Sequence, residues 1–98
     1  MTGLASLREQ LDAADDRILE AIAARCAVIR AIAEYKRAHG VPMSHPDRIN
    51  YVRGRYRRFA ECIPADAERF ERVAAELIEV ACELETELMA EDTPRAEV

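Results

Sequence analysis

The chain has 98 residues, enough for one small domain that the reading places over 1–98. Half of it is apolar and 34% is charged, which excludes general disorder, and a formal charge of −5 argues against a nucleic-acid or anionic-membrane partner. Cysteines 26, 62 and 82 cannot all pair internally, no CxxC spacing occurs, and there are only two histidines, so neither a disulfide framework nor a metal site is expected. The opening MTGLASLREQ lacks the basic patch and apolar segment of a secretion signal, and no apolar run is long enough to span a membrane. The expectation is a cytoplasmic domain. A chain of this length buries only about 60 to 65% of its extended surface by itself, so a second subunit is expected too.

The first predicted element runs from Ser6 to about Ala38 without proline or glycine. Leu4, Leu11, Ile18, Ile22, Ile29 and Ile32 follow the 3-4 repeat of a helix packed on other helices. Gly40, Val41 and Pro42 close it. A rod of that length reaches roughly 50 Å, whereas a compact chain of this size has a radius of gyration near 13 Å. The rod therefore overhangs its own chain.

A second helix is predicted from near Ser44, with Ser44 and Asp47 as a capping box and Pro46 in the first turn, to about Glu61. Ile49, Val52, Tyr56 and Phe59 give it an apolar face, and Gly54 weakens it by up to ~1 kcal/mol relative to alanine. The third helix is predicted from about Ala65 to Met89. Its stripe is Phe70, Val73, Leu77, Ala81, Leu84 and Leu88, with Asp66 and Glu68 in the first turn. The tail EDTPRAEV reads as frayed. The fold class is all-α, a long–short–long three-helix chain whose shape asks for a homodimer.

Charged residues interrupt the first helix's apolar seam. Arg25 lies between Ile22 and Ile29, and Lys36 follows Ile32 by four. Two readings stand: their stems cover the core while their heads reach water, or they line a cavity for an anion. Arg8 also falls on the seam but lies about 25 Å from Arg25 along the axis, so an antiparallel partner helix would be needed to bring it to the same ligand. Arg48, in the first turn of the second helix, is either a surface arginine or a third cation of that cavity. Arg53, Arg55, Arg57 and Arg58 spread around a helix that also carries aromatic residues, with Glu76, Glu79, Glu83, Glu85, Glu87 and Glu91 as neighbours; this is a poor nucleic-acid surface. Glu85 sits at the edge of the third helix's stripe while Glu83 and Glu87 point away, so it is either a solvated acid or a carboxyl facing the cavity. The cysteines read as small core residues, His39 as a partner for the helix C-terminus, and His45 as a wall residue of the site.

The segment LREQLDAADDRILEAIAARCAVIRAIAEYKRAHGVP, followed by HPDRI, resembles the all-helical class of chorismate mutase. The resemblance spans about residues 4 to 89 and rests on the Leu-Arg opening, Asp15-x-x-Ile18-Leu19, Ala24-Arg25 and Lys36. It implies an intertwined homodimer with two shared active sites and a [3,3] rearrangement of chorismate to prephenate, without cofactor or covalent intermediate. By position, Arg8 from the partner subunit and Arg25 would bind the two carboxylates of a small dicarboxylate substrate. Lys36 and Glu85 would meet the ether oxygen, and Arg48 would complete the cationic wall. Ala81, His45 and Ile49 fall at substrate-binding positions.

Three departures stand out. Glu85 replaces the amide common in the class and must be protonated to donate. Ile49 stands where many members carry an acid, and His45 where many carry an aspartate near the ring hydroxyl. The stretch Met43 to Ile49 looks closer to mutases acting on 4-amino-4-deoxychorismate in antibiotic pathways, and to isochorismate–pyruvate lyases of salicylate pathways. A non-catalytic helical dimer is the remaining alternative. Some small members of the class work in complex with the first enzyme of the shikimate pathway, and the resemblance leaves such a partner open.

Overall fold

The structure is a computed structural model that describes residues 3–43, 45–63 and 66–91. Its three helices are α1 (Leu4–His39), α2 (Pro46–Phe59) and α3 (Ala67–Glu91), the expected long–short–long all-α chain. The expected caps at Ser44 and the tail after Glu91 lie outside the described residues.

Helix α1 ends where the sequence turns to glycine. Gly40 adopts the left-handed conformation (φ 65°, ψ 29°) and its N–H caps the Lys36 carbonyl, which also accepts from Val41 N–H at 2.8 Å. His39 behaves as expected of a C-terminal partner, its Nδ1 donating to the Tyr35 carbonyl at 2.9 Å while its ring stacks on Tyr35. Helix α2 runs unbroken through Gly54. Asp66 precedes α3 rather than lying inside it, and its Oδ1 accepts from the Glu68 N–H at 2.8 Å, which satisfies a free donor of the first turn.

Helices α1 and α3 run side by side in the same direction, tied by Arg25 to the Leu77 carbonyl and by Lys36 to Glu85. Helix α2 returns antiparallel along α3, with Arg57 paired to Glu71 at 2.7 Å and the Phe59 and Phe70 rings 6.0 Å apart. Glu71 was not among the acids expected to face the arginine cluster. Both outer helices pack on α3 and not on one another. The result is a wedge, open between α1 and α2, with residues 40–43 and 45 at one end.

The interior is small. Among the described residues only Ile29, Ala33, Ala60 and Ala74 are buried apolar side chains, with Glu85 beside them as the buried polar one. Of the expected α3 stripe, Phe70, Leu77, Ala81, Leu84 and Leu88 are half-buried, while Val73 is 51% exposed and its neighbour Ala74 is buried instead. Cys62 is exposed, against its reading as a core residue, because it lies in the turn after α2; Cys26 and Cys82 are half-buried. The radius of gyration is 18.0 Å and the long axis 64 Å, far from a compact globule. The chain exposes 8041 Å², against about 5,600 Å² for a compact monomer of its mass. Leu4, Leu7, Leu11, Ile18 and Leu19 are each 55–63% exposed. Among the described residues no helix is long and apolar enough to cross a membrane.

The two loop and helix glycines predict opposite outcomes. Gly40→Ala places a side chain in the left-handed region and destabilises by about 1 kcal/mol. At Gly54 an added Cβ meets only the flexible end of Arg58 at 3.2 Å, so Gly54→Ala stabilises by up to about 1 kcal/mol. Urea unfolding followed by helical circular dichroism measures both.

Candidate active site

The wedge encloses a cavity of about 480 Å³, within the range of small-molecule sites. Each helix contributes one set of side chains for a reason visible in its spacing. From α1, Arg25, Ile29, Ile32 and Lys36 recur every three to four residues and share a face. From α2, the side chains are Arg48, Ile49 and Val52, with His45 just before the first turn. From α3, Ile78, Ala81, Cys82 and Glu85 complete the wall.

Lys36 is the centre of this arrangement. Its Nζ lies 2.8 Å from Glu85 Oε1 and donates to the Met43 carbonyl at 2.9 Å. The Lys36 and Glu85 side chains are 14% and 11% exposed, so the pair is largely withdrawn from water. An ammonium has three hydrogens. Two are committed, which leaves one for a ligand. Glu85 commits Oε1 to Lys36, leaving Oε2 as its second oxygen. Arg25 donates through Nη1 to the Leu77 carbonyl at 3.1 Å, which anchors one arm of its guanidinium on α3. Arg48 lies with its guanidinium carbon 4.8 Å from the Tyr51 ring centroid, a cation–π contact within α2. His45 Nε2 is 2.7 Å from the Pro42 carbonyl.

Of the residues singled out from the sequence, Arg25, Lys36, His45, Arg48, Ile49, Ala81 and Glu85 meet at this one cavity. Arg8 does not. It is exposed on the overhanging part of α1, 28 residues before Lys36 and so about 42 Å away along the axis. Met43 was not anticipated: its carbonyl holds Lys36, and its sulfur lies 3.4 Å from the Thr86 hydroxyl, which itself donates to the Cys82 carbonyl at 2.7 Å. A backbone acceptor leaves no mark in residue type, and the signal was only the short connector after Gly40. A second depression of about 590 Å³, at the turn between α2 and α3, is lined by Arg55, Tyr56, Arg58, Phe59, Cys62 and Phe70, with no carboxyl group among the described residues of its wall.

Three cations and one carboxyl around a small cavity suit an anionic ligand with a central polar atom. Residues 7–86 match the family described as chorismate mutase type II. The chain belongs to that family. It is 38% identical over 87 residues to the 4-amino-4-deoxychorismate mutase of Streptomyces pristinaespiralis, covering 89% of this chain and 67% of that one. The 4-amino-4-deoxychorismate mutase of Streptomyces venezuelae is 33% identical over 94 residues, 96% of this chain and 91% of its own. A chorismate mutase of Methanocaldococcus jannaschii is 34% identical over 58 residues, 59% of each chain. No solved structure gives a match. The chain is thus an isomerase of the chorismate mutase type, carrying out that family's rearrangement.

The Lys36–Glu85 pair makes a stability prediction independent of activity. Removing one partner strands a charge in a nearly dry site, so Lys36→Met or Glu85→Leu alone should each cost about 2–3 kcal/mol. The double variant Lys36→Met with Glu85→Leu should cost less than the sum, and a double-mutant cycle in urea measures the coupling.

Proposed function

We propose that this cavity rearranges 4-amino-4-deoxychorismate to 4-amino-4-deoxyprephenate, with chorismate to prephenate as the second reading. The observation that carries it is the convergence of Arg25, Lys36, Arg48 and Glu85 on one cavity, in a chain two of whose relatives, similar over most of its length, carry the amino substrate's name. Chorismate is favoured by the same cations, because carboxylates and an ether oxygen are common to both substrates.

In this reading Arg25 and the partner subunit's Arg8 clamp the two carboxylates, and Arg48 extends the cationic wall. A clamped substrate is held in the compact chair-like conformer that the reaction needs. The C–O bond breaks as a C–C bond forms within one molecule, so no proton or electron is exchanged with the protein. Negative charge grows on the ether oxygen. The uncommitted hydrogen of Lys36 and a proton on Glu85 Oε2 meet that charge from two sides, and a preorganised donor of this kind is worth about 10²–10³ in kcat. Lys36→Ala should therefore lower kcat/KM by about 100-fold or more. Glu85 donates only with a proton on its carboxyl, whereas Glu85→Gln keeps an N–H donor without one; Glu85→Gln should therefore retain or increase kcat/KM near neutral pH, while Glu85→Ala loses activity. A glutamine variant as inactive as the alanine variant would return Glu85 to a structural role.

The working unit of this reading is a homodimer with sites shared between chains. It is supported by the exposed apolar residues of α1 and by an excess of exposed surface on the order of 2,000 Å² over a compact monomer. An antiparallel partner α1 would lay the Arg8 end of one chain beside the Lys36 end of the other. Sedimentation equilibrium at micromolar concentration should give twice the 11.0 kDa chain mass. Mixing Arg8→Ala and Lys36→Ala proteins with subunit exchange should restore activity, because one of the two sites in the heterodimer escapes both substitutions. A substrate panel of 4-amino-4-deoxychorismate, chorismate and isochorismate, with products identified by mass and NMR, tests the reaction. Release of pyruvate would mark a lyase instead.

A further inference from the structure

We propose that His45 Nδ1 is the acceptor that recognises the ring amine, which makes His45 a specificity-determining residue of the cavity; this rests on 4-amino-4-deoxychorismate being a substrate. The argument begins with the other nitrogen of the ring. Nε2 lies 2.7 Å from the Pro42 carbonyl oxygen. A carbonyl oxygen only accepts, so Nε2 carries the hydrogen. In the neutral imidazole Nδ1 is then a bare lone pair. The backbone connector thus selects the tautomer, as a hydrogen bond to one ring nitrogen does in general.

The rest of the wall shows why that lone pair matters. Arg25, Lys36 and Arg48 only donate. Glu85 Oε1 is bound to Lys36, and in the proposed reaction its Oε2 carries the proton turned to the ether oxygen, so neither is free to accept from the ring substituent. Among the described lining residues, His45 is the remaining strong side-chain acceptor, and Ile49, four residues on along α2, supplies no polar atom to replace it. Arg48, also at the cavity, has its guanidinium carbon 4.8 Å from the Tyr51 ring centroid and brings donors only.

A primary amine at neutral pH is an ammonium, which has hydrogens to give and no lone pair. It must find acceptors when it leaves water. A hydroxyl in its place can give a hydrogen to Nδ1 or take one from a neighbouring donor, so it has alternatives when Nδ1 is lost. A neutral imidazole accepts from the ammonium without adding a like charge. Losing the acceptor therefore penalises the amine more than the hydroxyl, since stranding a charged donor costs more than stranding a neutral one.

The test measures kcat/KM of the full chain on 4-amino-4-deoxychorismate and on chorismate, for the native protein and for His45→Leu, His45→Gln and His45→Lys. The native chain should use both and favour the amine. His45→Leu should lower the amine-to-hydroxyl ratio by about tenfold. His45→Gln, whose amide oxygen accepts, should return the ratio to within about threefold of the native value. His45→Lys, a donor alone, should depress it at least as far as leucine. The glutamine and lysine variants are both polar and carry the result if leucine impairs folding, which circular dichroism reports. Equal losses on both substrates, or a glutamine variant no better than lysine, would overturn the assignment of His45 alone. A native chain inert towards both substrates would overturn the reading of the reaction and this assignment together.

Discussion

The contact on which the structure turns is the Lys36 ammonium shared between Glu85 on α3 and the Met43 carbonyl in the connector. It joins three separate stretches of chain at one point. Without Glu85 the ammonium would have no charge partner in a place nearly closed to water, and without Lys36 the carboxylate would be the stranded one. The pair fixes the relative slide of α1 and α3 together with a second tie further down, where the long Arg25 side chain reaches the Leu77 carbonyl. The connector is held as well, so Pro42 arrives where it can meet His45. One electrostatic contact thereby sets the depth of the cavity and the position of its rim.

Much of this was legible in the sequence, for physical reasons. The three helices follow from apolar spacing and from the glycine and proline residues that stop them, and their ends agree to within about two residues. Arg25 and Lys36 announced themselves because a cation in an apolar seam is costly unless something answers it. Glu85 was visible as an acid at the edge of a stripe, but its burial was not: that depends on the neighbour across the interface, which no single-helix pattern contains. The exchange at one turn of α3, with Ala74 inward and Val73 outward, escaped for the same reason. Cys62 was misplaced because residue type predicts average burial, and a cysteine in a turn is an exception that only the fold decides. The Met43 carbonyl escaped entirely, since every residue type but one offers the same backbone groups.

The sequence and the structure agree on a chain that leaves much apolar surface uncovered. Half the residues are apolar, yet among those described only four apolar side chains are buried. A core this small cannot offset the conformational entropy of ordering such a chain. In the proposed dimer the apolar residues along the first half of α1 would supply the missing burial, and folding and association would then be a single event.

The absence of packing between α1 and α2 has a consequence for how such a protein diversifies. The residues proposed to act on the ether oxygen stand on α1 and α3, and their geometry is fixed by a contact between those two helices. His45, Arg48 and Ile49 stand on or beside α2, which leans on α3 alone. Substitutions on that helix can alter which ring substituent is welcomed while the bond-breaking apparatus keeps its alignment. In the proposed reading selectivity and reactivity fall to different walls of one cavity, so a lineage could drift from one substrate to a close analogue through a few changes near residue 45 without first dismantling its chemistry.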